Sequence, residues 1–254
     1  MKVRILGCGT SSGVPRVGND WGACDPENPK NRRRRVSILV DHEDDPILVD
    51  TSPDLREQLL DAWVRNVAGV IWTHDHADHC HGIDDLRQLF HARGHPVNGF
   101  ARPDTLAALR QRFTYAFEGK GGYPPVATGQ DLPDSFELGG IRVRVVDQPH
   151  GDIISAGLRF DAGGKSIAYA TDFNILTGEM RNLYEGVDLW VVDALRRHPH
   201  PTHPHLDQVL GWIAELGVGR AVLTHMDQSM DYETLCAELP ANVEPGYDGL
   251  EVAL

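Results

Sequence analysis

The stretch THDHADH at residues 73–79 places three histidines and a well-spaced aspartate directly after a short apolar run. That run is rich in β-branched side chains, which predicts a buried strand. His74 and His76 are two apart in an extended segment and project to the same side. Asp78 and His79 lie where a predicted helix begins. Because one pair can bind one metal ion and the other pair a second ion about 3.5–4 Å away, the stretch predicts a metal site at a strand end.

Three further residues of metal-binding type stand at the ends of other predicted strands: His150, Asp172 and His225. A single histidine or aspartate after a strand is common, so each of them alone has a structural explanation as often as a functional one. However, open α/β sheets bind their ligands outside the carboxyl ends of strands, and four separate segments agree on that location. We therefore count these residues with those of 73–79 as candidate ligands.

The pattern His-x-His-x-Asp-His, followed by a distant His, Asp and His, resembles the signature of the metallo-β-lactamase superfamily. The resemblance covers nearly the whole chain and implies a four-layered αββα fold with a dinuclear site completed by a bridging hydroxide. It also implies that Asp78 and Asp172 take part in catalysis, with the Asp172 carboxylate bridging both ions. Carried over residue by residue, the first metal is held by His74, His76 and His150, and the second by Asp78, His79 and His225.

Apolar periodicity alone indicates an α/β or α+β chain. The predicted strands fall into two groups interleaved with helices, which suits the αββα sandwich. With 254 residues and 41% apolar content the chain can bury a sizeable core, so we expect a single domain over 1–254. Strands are predicted near 2–8, 36–41, 46–50, 69–73, 97–101, 141–147, 153–160, 165–171, 187–193, 220–224 and 249–253. Helices are predicted at 53–64, 80–92, 103–112, 205–216 and 231–238.

The formal net charge of −13 argues against long nucleic acid as a substrate. Proteins that neutralise many phosphates normally carry a basic face. No apolar run approaches a signal peptide or a membrane span, so we expect a cytoplasmic protein that does not enter a membrane. The four cysteines are far apart and are expected to be reduced thiols. The partners we expect are a small phosphorylated substrate and, as an option, a second copy of the chain in a homodimer.

Three N-terminal segments, 7–15, 31–37 and 50–54, resemble the PhnP-type branch of the superfamily. The named activity of that branch is phosphoribosyl 1,2-cyclic phosphate phosphodiesterase, and the branch lies near the tRNA-processing ribonuclease Z group. The branch also has closely spaced cysteines that hold an additional structural zinc, whereas only Cys24 stands in the corresponding loop here. Because a lone thiolate cannot build a structural zinc site, we expect two catalytic metals and no third.

Several N-terminal features stay open on the residues alone. The glycine segment at 7–13 misses the spacing of dinucleotide-binding loops, and it is either a plain tight loop or a loop that lines the site. The arginines at 32–35 are either solvated and partly paired, or within reach of a substrate phosphate. Asp50 follows a predicted strand and is expected to orient the metal-binding loop by contacting a ligand imidazole.

A second histidine cluster, HPHPTHPH, occupies residues 198–205. A proline-rich solvated loop is the plain explanation for it. In the family that the chain resembles, a histidine in a Thr-His element just before a helix supplies an acid near the leaving group, and His203 matches that element. His198, His200 and His205 receive no role by this argument.

These features predict a hydrolase in which two divalent ions activate a bridging water and bind phosphate oxygens, while His203 protonates the leaving alkoxide. Imidazoles and carboxylates without a thiolate suit zinc, but an all-nitrogen-and-oxygen site also accepts manganese, so we expect Zn²⁺ or Mn²⁺. The preferred substrate is a small cyclic phosphodiester, of the phosphoribosyl cyclic phosphate or cyclic nucleotide type. The alternatives are a tRNA 3′ phosphodiester, a lactone or a thioester at the same site, or a metal-binding module without activity.

Overall fold

Two seven-stranded sheets form the centre of the computed structural model, which describes residues 1–43 and 45–254. The first sheet has the strand order β14-β1-β2-β3-β4-β5-β6, and the second has the order β13-β12-β11-β10-β9-β8-β7. The strands are β1 (Lys2–Gly7), β2 (Ser37–Asp41), β3 (Ile47–Val49), β4 (Gly69–Ile71), β5 (Val97–Ala101), β6 (Ala127–Asp131), β7 (Ser135–Leu138), β8 (Ile141–His150), β9 (Ile153–Ala162), β10 (Lys165–Ala170), β11 (Leu189–Asp193), β12 (Arg220–Thr224), β13 (Val243–Pro245) and β14 (Glu251–Ala253). The α-helices are α1 (Leu55–Asp61), α2 (Ala77–Cys80), α3 (Leu86–Arg93), α4 (Pro103–Arg112), α5 (Thr114–Glu118), α6 (Gly178–Tyr184), α7 (Leu206–Glu215) and α8 (Tyr232–Glu238).

Buried apolar side chains hold the layers together. One cluster joins the two sheets, with Ile5 of β1 and Ile167 of β10 among its members, and it extends to Val209 of α7. A second cluster joins the first sheet to its covering helices, with Trp72 and Leu86 both fully buried. Removing this apolar surface from water is the main favourable term in the stability of such a sandwich. The predicted four-layered αββα architecture is confirmed.

Parallel strand pairing brings the candidate ligands together. Strands β3, β4, β5 and β6 run parallel to one another in the first sheet. In the second sheet the parallel strands are β10, β11, β12 and β13. The carboxyl ends of parallel strands lie at one edge of a sheet, so the segments that follow β4, β10, β11 and β12 emerge there.

The structure corrects several sequence predictions. Strands β6, β7 and β13 and helices α5 and α6 were not predicted, because these elements are short and β6 is a largely polar edge strand without apolar alternation. The helix predicted at 80–92 is divided, and α2 ends before Gly82. A Cβ on Gly82 would lie 2.0 Å from the Ser52 carbonyl oxygen, so this close approach requires glycine. Strand β8 is longer than the strand predicted near 141–147, and His150 is its tenth and last residue.

Across the described residues, none of the helices has the length and apolar character needed to cross a membrane.

Candidate metal centre

The structure brings all seven predicted ligand side chains together. His74, His76, His150 and Asp172 offer ligand atoms that all lie within 4.8 Å of one another. A separate group of Asp78, His79 and His225 meets the same distance. Within these groups only His76 is exposed, and the other six residues are buried.

The Asp172 carboxylate lies between the two groups. Its Oδ1 is 3.5 Å from Nε2 of His150 and 3.8 Å from Nε2 of His74. Its Oδ2 is 3.1 Å from Nε2 of His79 and 3.6 Å from Nε2 of His225. One oxygen therefore faces each group, which is the arrangement that a bridging carboxylate between two ions needs.

The Asp78 carboxylate completes the second group. Its Oδ2 is 3.4 Å from Nε2 of His79 and 3.5 Å from Nε2 of His225. The two imidazole nitrogens and the Asp78 oxygen thus lie close together as three possible donors to one ion, and the Asp172 oxygen that faces them is a fourth. Four such donors are a set that Zn²⁺ accepts, and Mn²⁺ also binds sites of this composition.

Contacts at the opposite ring nitrogens hold the imidazoles in orientation. Nδ1 of His79 is 2.7 Å from an oxygen of the Asp50 carboxylate, and Nδ1 of His150 donates to the Thr202 carbonyl oxygen at 2.9 Å. Asp50 is itself held by the backbone N–H of Thr73 at 2.8 Å. Partners of this kind set the tautomer that leaves Nε2 free to bind a metal. The contact expected of Asp50 is therefore present, and it is made to His79.

The ring nitrogens that face inward support a metal rather than a hydrogen-bonded network. The Nε2 atoms of His74, His79 and His225 are buried and lie 3.8, 3.1 and 3.5 Å from the nearest carboxylate oxygen. No contact with the geometry of a hydrogen bond is found for them in residues 1–43 and 45–254. Burying a polar atom without a partner costs about 1–3 kcal/mol, so three such atoms converging on one place need an explanation. Divalent ions between them would supply the missing interactions, and the donor set fits them.

Three residues at the candidate metal centre also have unfavourable backbone geometry. Asp50, Asp172 and His225 adopt left-handed φ values of 63°, 55° and 55°, a region that residues with a Cβ rarely occupy. Each of the three follows the end of a strand. Strain of this kind persists where the surrounding structure over-determines it, and it concentrates at functional sites.

The charges of the site stabilise one another. Burial would raise the pKa of the Asp172 carboxyl, but His225 and His79 hold it well below its usual range. Burial likewise opposes ionisation of Asp78, and His79 together with His225 lowers its pKa. Burial would lower the pKa of His225, but the Asp172 and Asp193 carboxylates raise it to about 9. Protons therefore occupy the metal-free site, and metal binding would release them.

His203 is the third catalytic candidate, and it lies beside both groups. Its Nδ1 is 2.7 Å from an oxygen of Asp193, and its Nε2 is 3.7 Å from Oδ1 of Asp172. Asp193 also accepts a hydrogen bond from the backbone N–H of Asp172 at 3.1 Å. His203, Asp193, Asp172 and His225 form a further set with metal-binding distances. Because Asp193 already binds Nδ1 of His203, we interpret Asp193 as the partner that orients this imidazole.

An open cavity of about 560 Å³ leads to these side chains. Thr10, Ser11 and Ser12 line it, so the glycine-rich loop lies on the wall of the site rather than elsewhere. Arg16 and Arg196 line the same wall. Sequence reasoning missed both arginines. Their only signal was position, since Arg16 follows the glycine segment and Arg196 follows the end of β11.

The arginines at 32–35 have structural contacts and are not among the residues that line the cavity. Arg33 is buried and donates to the Met230 carbonyl oxygen at 2.5 Å. Arg34 pairs with Asp61, and Arg35 pairs with Asp54 at 3.1 Å. Arg32 lies over the Trp21 ring, 5.2 Å from its centroid.

The histidine cluster at 198–205 divides by position. His200 and His203 line the cavity, whereas His198 is exposed and His205 stands at the N-terminus of α7 without a side-chain capping bond. The loop between β11 and α7 is therefore not merely a solvated segment, because two of its imidazoles face the site.

Cys24→Ser is expected to leave metal content and folding nearly unchanged. The Cys24 thiol is buried, and its Sγ accepts a weak hydrogen bond from Nη1 of Arg33 at 3.7 Å, which a serine hydroxyl can also accept. Elemental analysis and thermal unfolding would test this, with the exposed Cys236→Ser as the matched control. Loss of one metal equivalent from Cys24→Ser alone would reveal a further metal site.

The chain is similar to known proteins along most of its length. The model of the beta-lactamase superfamily domain matches residues 46–226. The crystal structure of a diphosphatase from the PhnP family is 32% identical, with a TM-score of 0.89 over 100% of this chain and 97% of that one. Zinc-bound PqqB from Methylobacterium extorquens is 20% identical, with a TM-score of 0.81 over 100% of both chains, and shows the shared fold.

An octanoyltransferase from Porphyromonas gingivalis (strain ATCC BAA-308 / W83) is 31% identical over 263 residues, which cover 100% of this chain and 52% of that protein. The chain thus spans about half the length of this curated relative. The family match extends over most of the chain, and the match to the diphosphatase structure is end to end. The chain therefore belongs to the beta-lactamase superfamily, within its PhnP family, and this family together with the ligand geometry supports a metal-dependent hydrolase.

Proposed function

We propose that the chain hydrolyses a P–O bond of a small phosphorylated substrate at a dinuclear metal centre, with a cyclic phosphodiester as the first candidate. The ions would be Zn²⁺ or Mn²⁺, one held by His74, His76 and His150 and the other by Asp78, His79 and His225, with Asp172 between them. When bound, two divalent ions lower the pKa of a water molecule and neutralise charge that develops on phosphate oxygens.

The observation that carries the phosphate assignment is a pair of arginines on the cavity wall for which the described residues provide no carboxylate partner. Nε of Arg16 is buried, and no hydrogen-bond partner for it is found in the described part of the chain. Within residues 1–43 and 45–254, the Arg196 side chain donates to the carbonyl oxygens of His198 at 3.1 Å and Pro199 at 2.8 Å and to no carboxylate. In a chain with a net charge of −13, two such cations beside the candidate metal centre favour an anionic ligand. Guanidinium groups match phosphate oxygens in geometry.

The remaining steps belong to His203 and Asp193. A leaving alkoxide needs a proton, and Nε2 of His203 faces the site to donate it. The Asp193 carboxylate at Nδ1 orients the ring and stabilises the imidazolium before the transfer. The same net charge disfavours long nucleic acid as the substrate.

A diphosphate is the second candidate substrate. The PhnP-family diphosphatase that matches this chain over its whole length favours it, and the same arginines could bind the second phosphate of such a compound. A thioester is a weaker alternative. The similarity to an octanoyltransferase is what favours an acyl substrate, but that protein is about twice as long as this chain, so its activity need not belong to the shared half.

A substrate panel on the metal-loaded protein tests this proposal. We expect turnover of 2′,3′-cyclic AMP or of ADP-ribose to exceed that of a homoserine lactone and of octanoyl-CoA. Arg16→Ala should raise the KM of the preferred phosphorylated compound roughly 10–100-fold, since hydrogen bonds to charged groups contribute about 1.5–3 kcal/mol. Arg65→Ala, an exposed arginine outside the cavity, is the control and should not change KM. Preferred turnover of the lactone or the thioester would contradict the proposal.

A further inference from the structure

His200 stands on the cavity wall and belongs neither to the candidate metal ligands nor to the proton donor. Its ring centroid lies 5.2 Å from that of His203. It belongs to the loop that also carries Arg196, and Thr202 of this loop accepts the hydrogen bond from Nδ1 of His150. The imidazole is therefore held next to the candidate metal centre while remaining open to the cavity.

Two contacts define the tautomer of His200. The backbone N–H of Thr202 donates to Nδ1 of His200 at 3.3 Å, and the Thr202 hydroxyl lies 3.2 Å from the same nitrogen. A nitrogen that accepts an amide proton carries no proton of its own, so the proton of the neutral ring is on Nε2. No hydrogen-bond partner of Nε2 is found among the residues that the structure describes, which leaves this N–H as a free donor in the cavity.

The surroundings of His200 keep it neutral. Burial lowers the pKa of the imidazole, and the neighbouring His203 and Arg196 lower it further. A neutral Nε2–H is a good hydrogen-bond donor and a poor acid, because losing its proton would leave an imidazolate. His200 and His203 therefore differ chemically, since only His203 has a carboxylate at Nδ1 to stabilise the charged ring.

We propose that His200 is a substrate-binding residue whose Nε2–H donates a hydrogen bond to an oxygen of the phosphate group held at the metal centre. This inference rests on the proposed function, since it takes a phosphate oxygen as the acceptor. Together with Arg196 on the same loop, His200 makes the affinity for phosphate depend on the loop between β11 and α7. A donor that binds this oxygen equally in the ground state and in the transition state acts mainly on KM.

The substitution His200→Asn separates this role from a structural one. An asparagine side chain can keep an acceptor for the Thr202 N–H, but it removes the donor at the position of Nε2. His200→Gln extends further and returns an N–H to that region. His198→Asn, at an exposed histidine of the same loop, is the matched control. Binding of inorganic phosphate to the zinc-loaded protein, measured by calorimetry, is the readout, with metal content and thermal unfolding measured on each variant.

His200→Asn is expected to weaken phosphate binding and raise KM about 10-fold, with kcat and metal content nearly unchanged. His200→Gln should recover part of the affinity, and His198→Asn should match the unchanged protein. Wild-type phosphate affinity in His200→Asn would overturn the inference, and so would loss of metal, which would show that His200 supports the loop instead. If the unchanged protein neither binds phosphate nor hydrolyses a phosphoester, the proposed function fails first, and this inference fails with it.

Discussion

Asp172→Ala is expected to lower the metal content from about two ions per chain and to reduce turnover by at least about 10³-fold. The physical reason is that one carboxylate oxygen faces each ligand group, so that its removal takes a donor from both ions at once. It also removes the negative charge that balances the surrounding imidazoles. Elemental analysis of the purified variant, together with its turnover of a phosphodiester, measures both effects.

Two further variants make the Asp172 result specific. Asp172→Asn retains the shape of the side chain and removes its charge, so it tests the bridge without opening a cavity. Asp152→Asn changes another aspartate of the cavity wall, one that lies outside both ligand groups, and it should keep both ions. Full metal content with full activity in Asp172→Ala would be incompatible with a bridging carboxylate.

His203→Ala is expected to retain both metal ions and to slow the hydrolysis of a diester with a poor leaving group by roughly 10²–10⁴-fold. The imidazole lies within reach of the bridging carboxylate, and Asp193 holds its other nitrogen, as a proton donor requires. Turnover of a bis(nitrophenyl) phosphate should fall much less, because nitrophenolate departs without a proton. Steady-state kinetics on the two diesters measure the difference.

His205→Ala is the matched control for His203, because His205 belongs to the same loop but is not among the cavity-lining residues. Equal losses on both diesters with the metals in place would mean that His203 positions the substrate rather than donating a proton. If His203→Ala loses metal instead, then the set of Asp172, Asp193, His203 and His225 is a true metal site, and the division of roles proposed here is wrong.

The candidate ligands could be predicted from the sequence because their positions obey local rules. Four of them occupy one short stretch after a strand, and Asp172 and His225 follow parallel strands of the second sheet. His150 ends β8, which runs in the same direction as β10 because both strands pair antiparallel with β9, so it reaches the same edge. The bridging position of Asp172 was implied by the family resemblance alone. Its geometry depends on side-chain directions from strands distant in sequence, which no local pattern contains.

The two arginines on the cavity wall, Arg16 and Arg196, could not be predicted from the sequence. A run of four arginines attracts attention, yet Arg33, Arg34 and Arg35 are held by carbonyl or carboxylate oxygens. Arg16 and Arg196 are single residues in irregular loops, where neither periodicity nor spacing gives a signal. What distinguishes them is their position on the cavity wall, which becomes visible only when the loops are folded around the site.

The short elements were missed for a related reason. Three of the five residues of strand β6 are polar, and these three are partly buried or exposed. The position of β6 therefore follows from its backbone pairing with β5 and not from an apolar pattern. The break between α2 and α3 depends on the contact between Gly82 and Ser52, which are far apart along the chain. Long-range contacts of this kind override local helix preference.

Anomalous diffraction from crystals of the zinc-loaded protein tests the central claim most directly. We predict two peaks at the zinc absorption edge, about 3.5–4 Å apart and on opposite sides of the Asp172 carboxylate. One should lie among His74, His76 and His150, and the other among Asp78, His79 and His225. A single peak, or a peak between Asp193 and His203 in place of either, would contradict the account.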